Sequence, residues 1–143
     1  TVATHPDVRK TLELLRLHKK HACVVLDGSP EMMGMIEKVK DYITFGPIDE
    51  KTFKELLDKK GEMIGKKKVS EEKSIDTAKV SKEYFSEELK LRDLEDKYNI
   101  KPFFRLHPPI GGFERKGIKM PYTKGGVLGN RGEAIKELIL KML

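Results

Sequence analysis

The first sixty residues alternate between apolar patterns of helical and of strand-like period, and this alternation limits the fold more than any other feature. Val8, Leu12 and Leu15 are spaced by four and three residues, which predicts an amphipathic helix. Two short runs rich in β-branched residues lead into Gly and Pro, as strands do: "ACVVLD" and "DYITFG". Ser29 and Asp49 predict the starts of two further helices. The order is helix, strand, helix, strand, helix.

This order predicts an α+β fold, with helices on one face of a small, largely antiparallel sheet. Because the chain opens on a helix, we expect a first strand just before Thr1 that is missing or truncated in the given sequence. With that strand, residues 1–60 form a small β-α-β-α-β ferredoxin-like unit.

Residues 61–143 are expected to form an extension with a different composition. Residues 66–82 contain few apolar side chains and predict a linker, and residues 83–99 return to helical spacing. The segment 102–132 holds seven of the twelve glycines and four of the seven prolines, so regular structure is not expected there. A C-terminal helix is predicted over 131–142.

The positive charge is concentrated in the last third of the chain. Residues 1–48 carry a net charge of +1, residues 49–100 carry −1 and residues 101–143 carry all of the +6 total. A localised basic patch favours a polyanionic partner, whereas solubility alone is the plain alternative.

The stretch "KGGVLGNRG" at 124–132 resembles a nucleotide-binding loop only at first sight. It lacks the Gly-Lys-Ser/Thr ending of a P-loop, and its glycines do not follow dinucleotide-loop spacing. The glycines would instead let the backbone approach an RNA phosphate, with charge from Lys124 and Arg131. Nearby, Phe113 and Tyr122 alternate with cations and are candidates for stacking on exposed bases. The alternative is a disordered, solvated loop.

Catalytic and metal sites are not expected. Cys23 is the only cysteine, which excludes an internal disulfide and a cysteine-based zinc site. His18 and His21 flank two lysines that would repel a metal ion, and Ser29 is better explained as a helix cap than as a nucleophile. No run of 18 apolar residues is present, so we expect a soluble intracellular protein with no membrane partner, cofactor or small-molecule substrate.

Three stretches in order and at family-like spacing carry a resemblance that spans nearly the whole chain: "HPDVRKTLELLRLHKKHACVV", "DYITFGPIDEKTFKELLDKKG" and "GGFERKG…GGVLGNRGEAI". The chain resembles the large-subunit ribosomal protein L-thirty family in its long archaeal and eukaryotic form. Bacterial relatives end after roughly the first sixty residues, so residues 61–143 are similar to the archaeal and eukaryotic extension.

The resemblance implies a structural constituent of the large ribosomal subunit without catalytic activity. It implies a cytoplasmic protein that binds large-subunit ribosomal RNA close to the 5S RNA and contacts neighbouring ribosomal proteins. One alternative is a ribosome-assembly factor of the same fold that binds precursor ribosomal RNA. A small enzyme acting on a phosphorylated substrate is a more distant one, because no nucleophile or acid–base pair is recognisable.

The resemblance also implies two RNA-contacting surfaces. The first is at the end of the first helix, where the same side chains would otherwise cap helix carbonyls, together with the following helix: Arg9, Arg16, His18, Lys19, Lys20, His21, Lys38 and Lys40. The second lies in the extension: Arg105, Arg115, Lys116, Lys119, Lys124 and Arg131. Gly34, inside a predicted helix, indicates either close approach by RNA or tight packing onto the sheet.

Overall fold

The computed structural model describes residues 4–72, 74–86 and 90–143. These residues form six α-helices and four strands of two residues each. The helices are α1 (Pro6–Leu14), α2 (Pro30–Val39), α3 (Glu50–Lys60), α4 (Thr77–Phe85), α5 (Leu91–Tyr98) and α6 (Ile135–Met142). The strands are β1 (Ala22–Cys23), β2 (Thr44–Phe45), β3 (Phe104–Arg105) and β4 (Gly129–Asn130). Three short 3₁₀ turns cover Val69–Glu71, Tyr122–Lys124 and Gly132–Ala134.

The first three helices begin where their capping residues predict. Pro6 and Pro30 each occupy the first helical position, where the missing N–H is not needed. The backbone N–H of Met32 donates to the Ser29 hydroxyl over 3.4 Å, so Ser29 is confirmed as the cap of α2. Asp49 precedes α3 without such a bond and instead forms an ion pair with Lys136 at 2.6 Å.

The strands pair across the chain and not with their neighbours in sequence. β1 pairs with β3 in antiparallel register, and β2 pairs with β4 in parallel register. A mixed α+β fold is therefore present, but the ferredoxin-like order is not confirmed. The first strand expected just before Thr1 stays a prediction.

One hydrophobic core takes side chains from both halves of the chain. Phe53, Leu56 and Leu57 on α3 are fully buried at its centre, as their spacing predicts. The ring of Phe104 on β3 meets the Phe53 ring edge-on with centroids 6.3 Å apart. α6 contributes an apolar face made of Ile135, Leu138, Ile139 and Met142. The predicted boundary at residue 61 therefore does not separate two cores.

The prediction that residues 66–82 form a linker without core residues is wrong. Val69 and Val80 are each only 1% exposed and belong to the core. Asp76 accepts a hydrogen bond from the Ala78 N–H and starts α4, which packs against α3. The hydroxyl of Tyr84 on α4 also donates to the Val25 carbonyl at 2.8 Å. Few apolar residues suffice here because α4 and the turn at Val69–Glu71 both pack against α3.

Two other predicted helix boundaries also change. The single helix expected over 83–99 is instead two helices, α4 and α5, and residues 87–89 between them lie outside the described ranges. α5 ends at Asn99, whose φ of 53° is left-handed. The C-terminal helix begins at Ile135 and not at 131, because a 3₁₀ turn occupies Gly132–Ala134.

Gly34 lies in α2 with no atom within 4 Å of the position a Cβ would take, so the tight-packing interpretation is wrong. Glycine inside a helix costs up to about 1 kcal/mol relative to alanine. Gly34→Ala is therefore expected to raise the free energy of unfolding by up to about 1 kcal/mol, measured by urea denaturation. Gly126→Ala is the contrasting control, because its Cβ would lie 2.1 Å from the Met120 carbonyl oxygen. A loss of stability in Gly34→Ala would contradict this prediction.

Candidate nucleic-acid interface

The pairing of β1 with β3 joins the two cationic surfaces that the sequence keeps apart. Ala22 is the register partner of Arg105, and the Leu106 N–H donates to the His21 carbonyl at 2.9 Å. A depression of about 50 Å³ results, and we call it the cationic groove; its lining residues are Arg16, His18, Lys19, Ala22, Phe103 and Arg105. Cations from both halves of the chain therefore surround one concave surface.

One side of the groove is formed by the turn that follows α1, and not by the end of the helix itself. α1 stops at Leu14, and the N–H groups of Arg16 and Leu17 donate to the carbonyls of Glu13 and Leu12. These backbone bonds satisfy the helix carbonyls that the basic side chains were alternatively expected to cap. Arg16 and His21 both adopt left-handed backbone angles, with φ of 61° and 60°. The turn thus has a defined path that directs its cations outward.

Aromatic rings lie among these cations. Phe103 is half-buried in the groove, with the Arg105 guanidinium carbon 5.9 Å from the ring centroid. The His21 ring stacks on Phe113, with centroids 6.4 Å apart and planes 13° apart. An aromatic face beside guanidinium and ammonium groups can stack on an unpaired base while the cations meet its phosphate.

Residues 113–126 form a structured loop, which we call the basic loop. The Met120 carbonyl accepts from the N–H groups of Val127 and Leu128 at 2.9 and 3.2 Å, which closes the base of the loop. The stem of Lys116 lies over Gly125, because a Cβ at Gly125 would be 3.4 Å from the Lys116 Cδ. Four cations on the loop are exposed and form no ion pair within the described part of the chain: Arg115, Lys116, Lys119 and Lys124.

Arg131 is buried and paired in this structure, in contrast to the exposed phosphate contact that the sequence predicts. Its side chain is 3% exposed, and its Nη1 and Nη2 donate to the two carboxylate oxygens of Glu114. Its Nε donates to the Thr44 hydroxyl at 3.2 Å, and its guanidinium carbon lies 4.7 Å from the Tyr122 ring centroid. We call these four residues the Arg131 cluster. Tyr122, predicted to stack on bases, stacks on Arg131 instead.

The remaining cations differ in their surroundings. Arg9 pairs with Glu13 at 3.1 Å, and Arg16 pairs with Glu95 at 3.2 Å. Lys40 pairs with Glu37 within its own helical turn. Lys38 and Lys40 belong to the end of α2, which leads into β2 and hence toward the β4 side of the fold. Lys38 and Lys40 therefore do not line the groove. Lys19, Lys20 and Lys38 are all exposed.

The pKa of Glu114 is held below its usual value near 4.5, first by the hydrogen bond from Arg131. A lowered pKa contributes stability above the unfolded-state value, and this contribution is lost as the pH falls through the folded-state value. The stability gap between the wild type and Glu114→Gln is therefore expected to be constant above about pH 5 and to narrow below it. Urea unfolding at pH 7, 5 and 4 measures this gap, and a gap that widens on acidification would contradict the assignment.

Metal binding and thiol chemistry find no support in the part of the chain that the structure describes. The described residues contain no cluster of His, Cys, Asp and Glu able to hold a metal ion. Burial raises the pKa of the Cys23 thiol to about 12, so the thiol is protonated at neutral pH. Among the described helices, none is both long and apolar enough to cross a membrane.

Known proteins are similar in sequence to this chain both in the region of the groove and in the extension. A family model described as Ribosomal protein L30p/L7e matches residues 1–43, which include α1, the turn and α2. Large ribosomal subunit protein uL30 of Methanopyrus kandleri is 43% identical over 99% of this chain and 97% of its own length. The chain belongs to the uL30 family. The uL30 proteins of Nanoarchaeum equitans and Aeropyrum pernix are 42% and 43% identical, over 92% and 93% of their own lengths.

Membership of the uL30 family confirms the resemblance seen in three stretches of the sequence. The similarity includes residues 61–143, because the archaeal relatives match over nearly the full chain. The uL30 family is made of structural, non-enzymatic ribosomal proteins, so the expectation that this chain is not an enzyme is confirmed.

Phe103 is the aromatic residue of the groove, and the sequence analysis did not identify it as part of the site. The signal was present in "KPFFRL", where alternation along a strand puts one Phe of the pair inward and the other outward. Phe104 is buried in the core and Phe103 lies in the groove, as this alternation requires.

Proposed function

We propose that this chain is a structural constituent of the large ribosomal subunit and binds large-subunit ribosomal RNA through the cationic groove and the basic loop. Family membership and full-length similarity to proteins named uL30 support the ribosomal role, which places the chain in the cytoplasmic ribosome. Contacts with neighbouring ribosomal proteins and a position close to the 5S RNA belong to the same proposal and rest on the family resemblance.

The observation that carries the RNA-binding proposal is the β1–β3 pairing. It assembles Arg16, His18, Lys19 and Arg105 from the two halves of the chain around the half-buried ring of Phe103. Guanidinium and ammonium groups bind phosphate oxygens, whereas an aromatic face accepts the base of an unpaired nucleotide. A groove with both features suits a folded RNA better than a duplex, whose bases are stacked away from side chains.

The basic loop supplies the second part of the interface. Its four exposed cations are free of carboxylate partners within the described residues, so binding a phosphate does not require an existing ion pair to break. The stack of His21 on Phe113 links this loop to the turn that forms the groove. The proposed interface therefore includes both the turn after α1 and the basic loop.

Sedimentation through a sucrose gradient after a high-salt wash tests the ribosomal role. Extracts from the source cells are fractionated, and each fraction is probed for this protein. Near-stoichiometric presence in mature large subunits and translating ribosomes is the expected result. Enrichment only in immature particles would identify an assembly factor instead, and recovery at the top of the gradient would contradict both.

A further inference from the structure

The Arg131 cluster lies at the point where the basic loop meets the folded core. Arg131 follows β4, whose partner β2 contains Thr44, and the Arg131 N–H donates to the Phe45 carbonyl at 2.9 Å. These backbone contacts fix the position of Arg131 against β2. Tyr122 and Glu114, which it contacts from there, both belong to the basic loop.

The two halves of the loop are held by different means. The half from 120 to 126 is closed by backbone hydrogen bonds from the Val127 and Leu128 N–H groups to the Met120 carbonyl, and Gly126 packs so tightly on Met120 that no Cβ has room. The other half, which carries Arg115, Lys116 and Lys119, follows directly after Glu114. Its attachment to the core includes the paired hydrogen bonds from Arg131 to the Glu114 carboxylate.

The cluster also neutralises the one acidic side chain of the loop. A free carboxylate at Glu114 would repel phosphates from the adjacent Arg115 and Lys116. Its pairing with a nearly inaccessible guanidinium cancels that charge and leaves the four exposed cations to dominate the surface potential.

We propose that Arg131 is a positioning residue that holds the basic loop in its RNA-binding conformation before RNA arrives. The proposal rests on the proposed function for the RNA ligand, but the loop conformation is a property of the free chain. Ordering the loop in advance removes an entropic cost that binding would otherwise bear. Arg131 therefore strengthens RNA binding without contacting a phosphate.

Two measurements on the full chain test this proposal. Hydrogen exchange reports the protection of residues 113–124 without RNA, and a titration of deproteinised large-subunit ribosomal RNA over a range of salt concentrations reports affinity and its salt slope. Arg131→Met is expected to increase exchange in the loop and to weaken binding by about tenfold at every salt concentration, with the salt slope unchanged. A slope lower by up to about 0.9, with loop exchange unchanged, would show a direct phosphate contact and overturn the proposal.

Glu114→Gln provides a second test that does not remove Arg131. Loss of a negative charge next to the RNA would tighten binding if charge alone mattered, whereas loss of the bidentate pair weakens it if the loop must be positioned. Weaker binding is the expected result, and tighter binding would contradict the proposal. Because the side chains are nearly the same size, this variant also serves if Arg131→Met does not fold.

Val80→Ala is the control for a general loss of stability, because it opens a cavity beside α3 in the core. This variant is expected to have a lower free energy of unfolding. The ratio of hydrogen exchange in the basic loop to that in α3 is expected to stay unchanged, and so is the affinity for RNA. If the wild type does not bind the RNA, the proposed function fails. If the wild type binds and the Arg131 and Glu114 variants bind equally well with unchanged loop exchange, only the positioning role fails.

Discussion

Alanine at Arg115, Lys116, Lys119 and Lys124 is expected to flatten the salt dependence of ribosomal RNA binding more than any other change to the interface. Each lost phosphate contact lowers the slope of log affinity against log salt by up to about 0.9, so four contacts lower it by up to about 3.6. All four side chains are exposed on the basic loop and carry no carboxylate partner within the described residues. Titration of large-subunit ribosomal RNA at several salt concentrations measures the slope.

A matched control removes the same number of charges from another face. Lys51, Lys54, Lys59 and Lys82 are exposed on α3 and α4, and none of them lines the groove or belongs to the basic loop. Alanine at these four positions is expected to change the salt slope by less than about 0.9, the value for one phosphate contact. Equal slopes for the two variants would show that net charge, and not the basic loop, accounts for binding.

Phe53→Ala is expected to cause the largest loss of stability, about 3–5 kcal/mol in the free energy of unfolding. Phe53 is fully buried on α3, and its ring contacts Tyr84 of α4 and Phe104 of β3, with centroids 4.9 and 6.3 Å away. Its removal therefore opens a cavity between segments from both halves of the chain. Urea denaturation followed by circular dichroism gives the free energy of unfolding and the number of transitions.

A single unfolding transition, shifted to a lower urea concentration, is expected because the two halves share one core. Leu14→Ala is the control, since Leu14 is 65% exposed and its truncation is expected to change stability by less than about 0.5 kcal/mol. If Phe53→Ala separated unfolding into two transitions, with residues 61–143 unaffected, the shared core would be wrong.

The sequence predicted those features whose causes are local. Pro6, Ser29 and Asp49 identified the starts of three helices, because capping and proline geometry depend only on adjacent residues. The inward face of α3 followed from its helical spacing. In contrast, the pairing of Ala22 with Arg105 joins residues more than 80 positions apart, and no local pattern reports such a partner.

The sequence predicted most of the residues that form the site, but not how they are arranged in space. The cations of the turn and of the loop were identified from their sequence, whereas the groove between Lys19 and Arg105 exists only because β1 and β3 pair. Arg131 was assigned to RNA because it lies in a basic segment. The signal against that assignment was Glu114, the single acidic residue of the segment 102–132, for which a buried arginine is the natural partner.

Val69 and Val80 show a further limit of composition. A count of apolar residues over 66–82 predicts a linker, because it averages over positions that face solvent and positions that face the core. The capping of α4 by Asp76 decides which side chains turn inward, and two buried valines then suffice to attach the segment to α3.

Crosslinking within the intact large subunit tests the RNA-binding face most directly. Large subunits from the source cells are irradiated with ultraviolet light, and the peptides of this chain that carry crosslinked nucleotides are identified by mass spectrometry. Crosslinks to large-subunit ribosomal RNA are expected in the peptides that contain residues 16–21, 103–105 and 113–124, with Phe103 and the basic loop among the modified positions. Crosslinks confined to the exposed faces of α3 and α4, with none in these three peptides, would contradict the proposed interface.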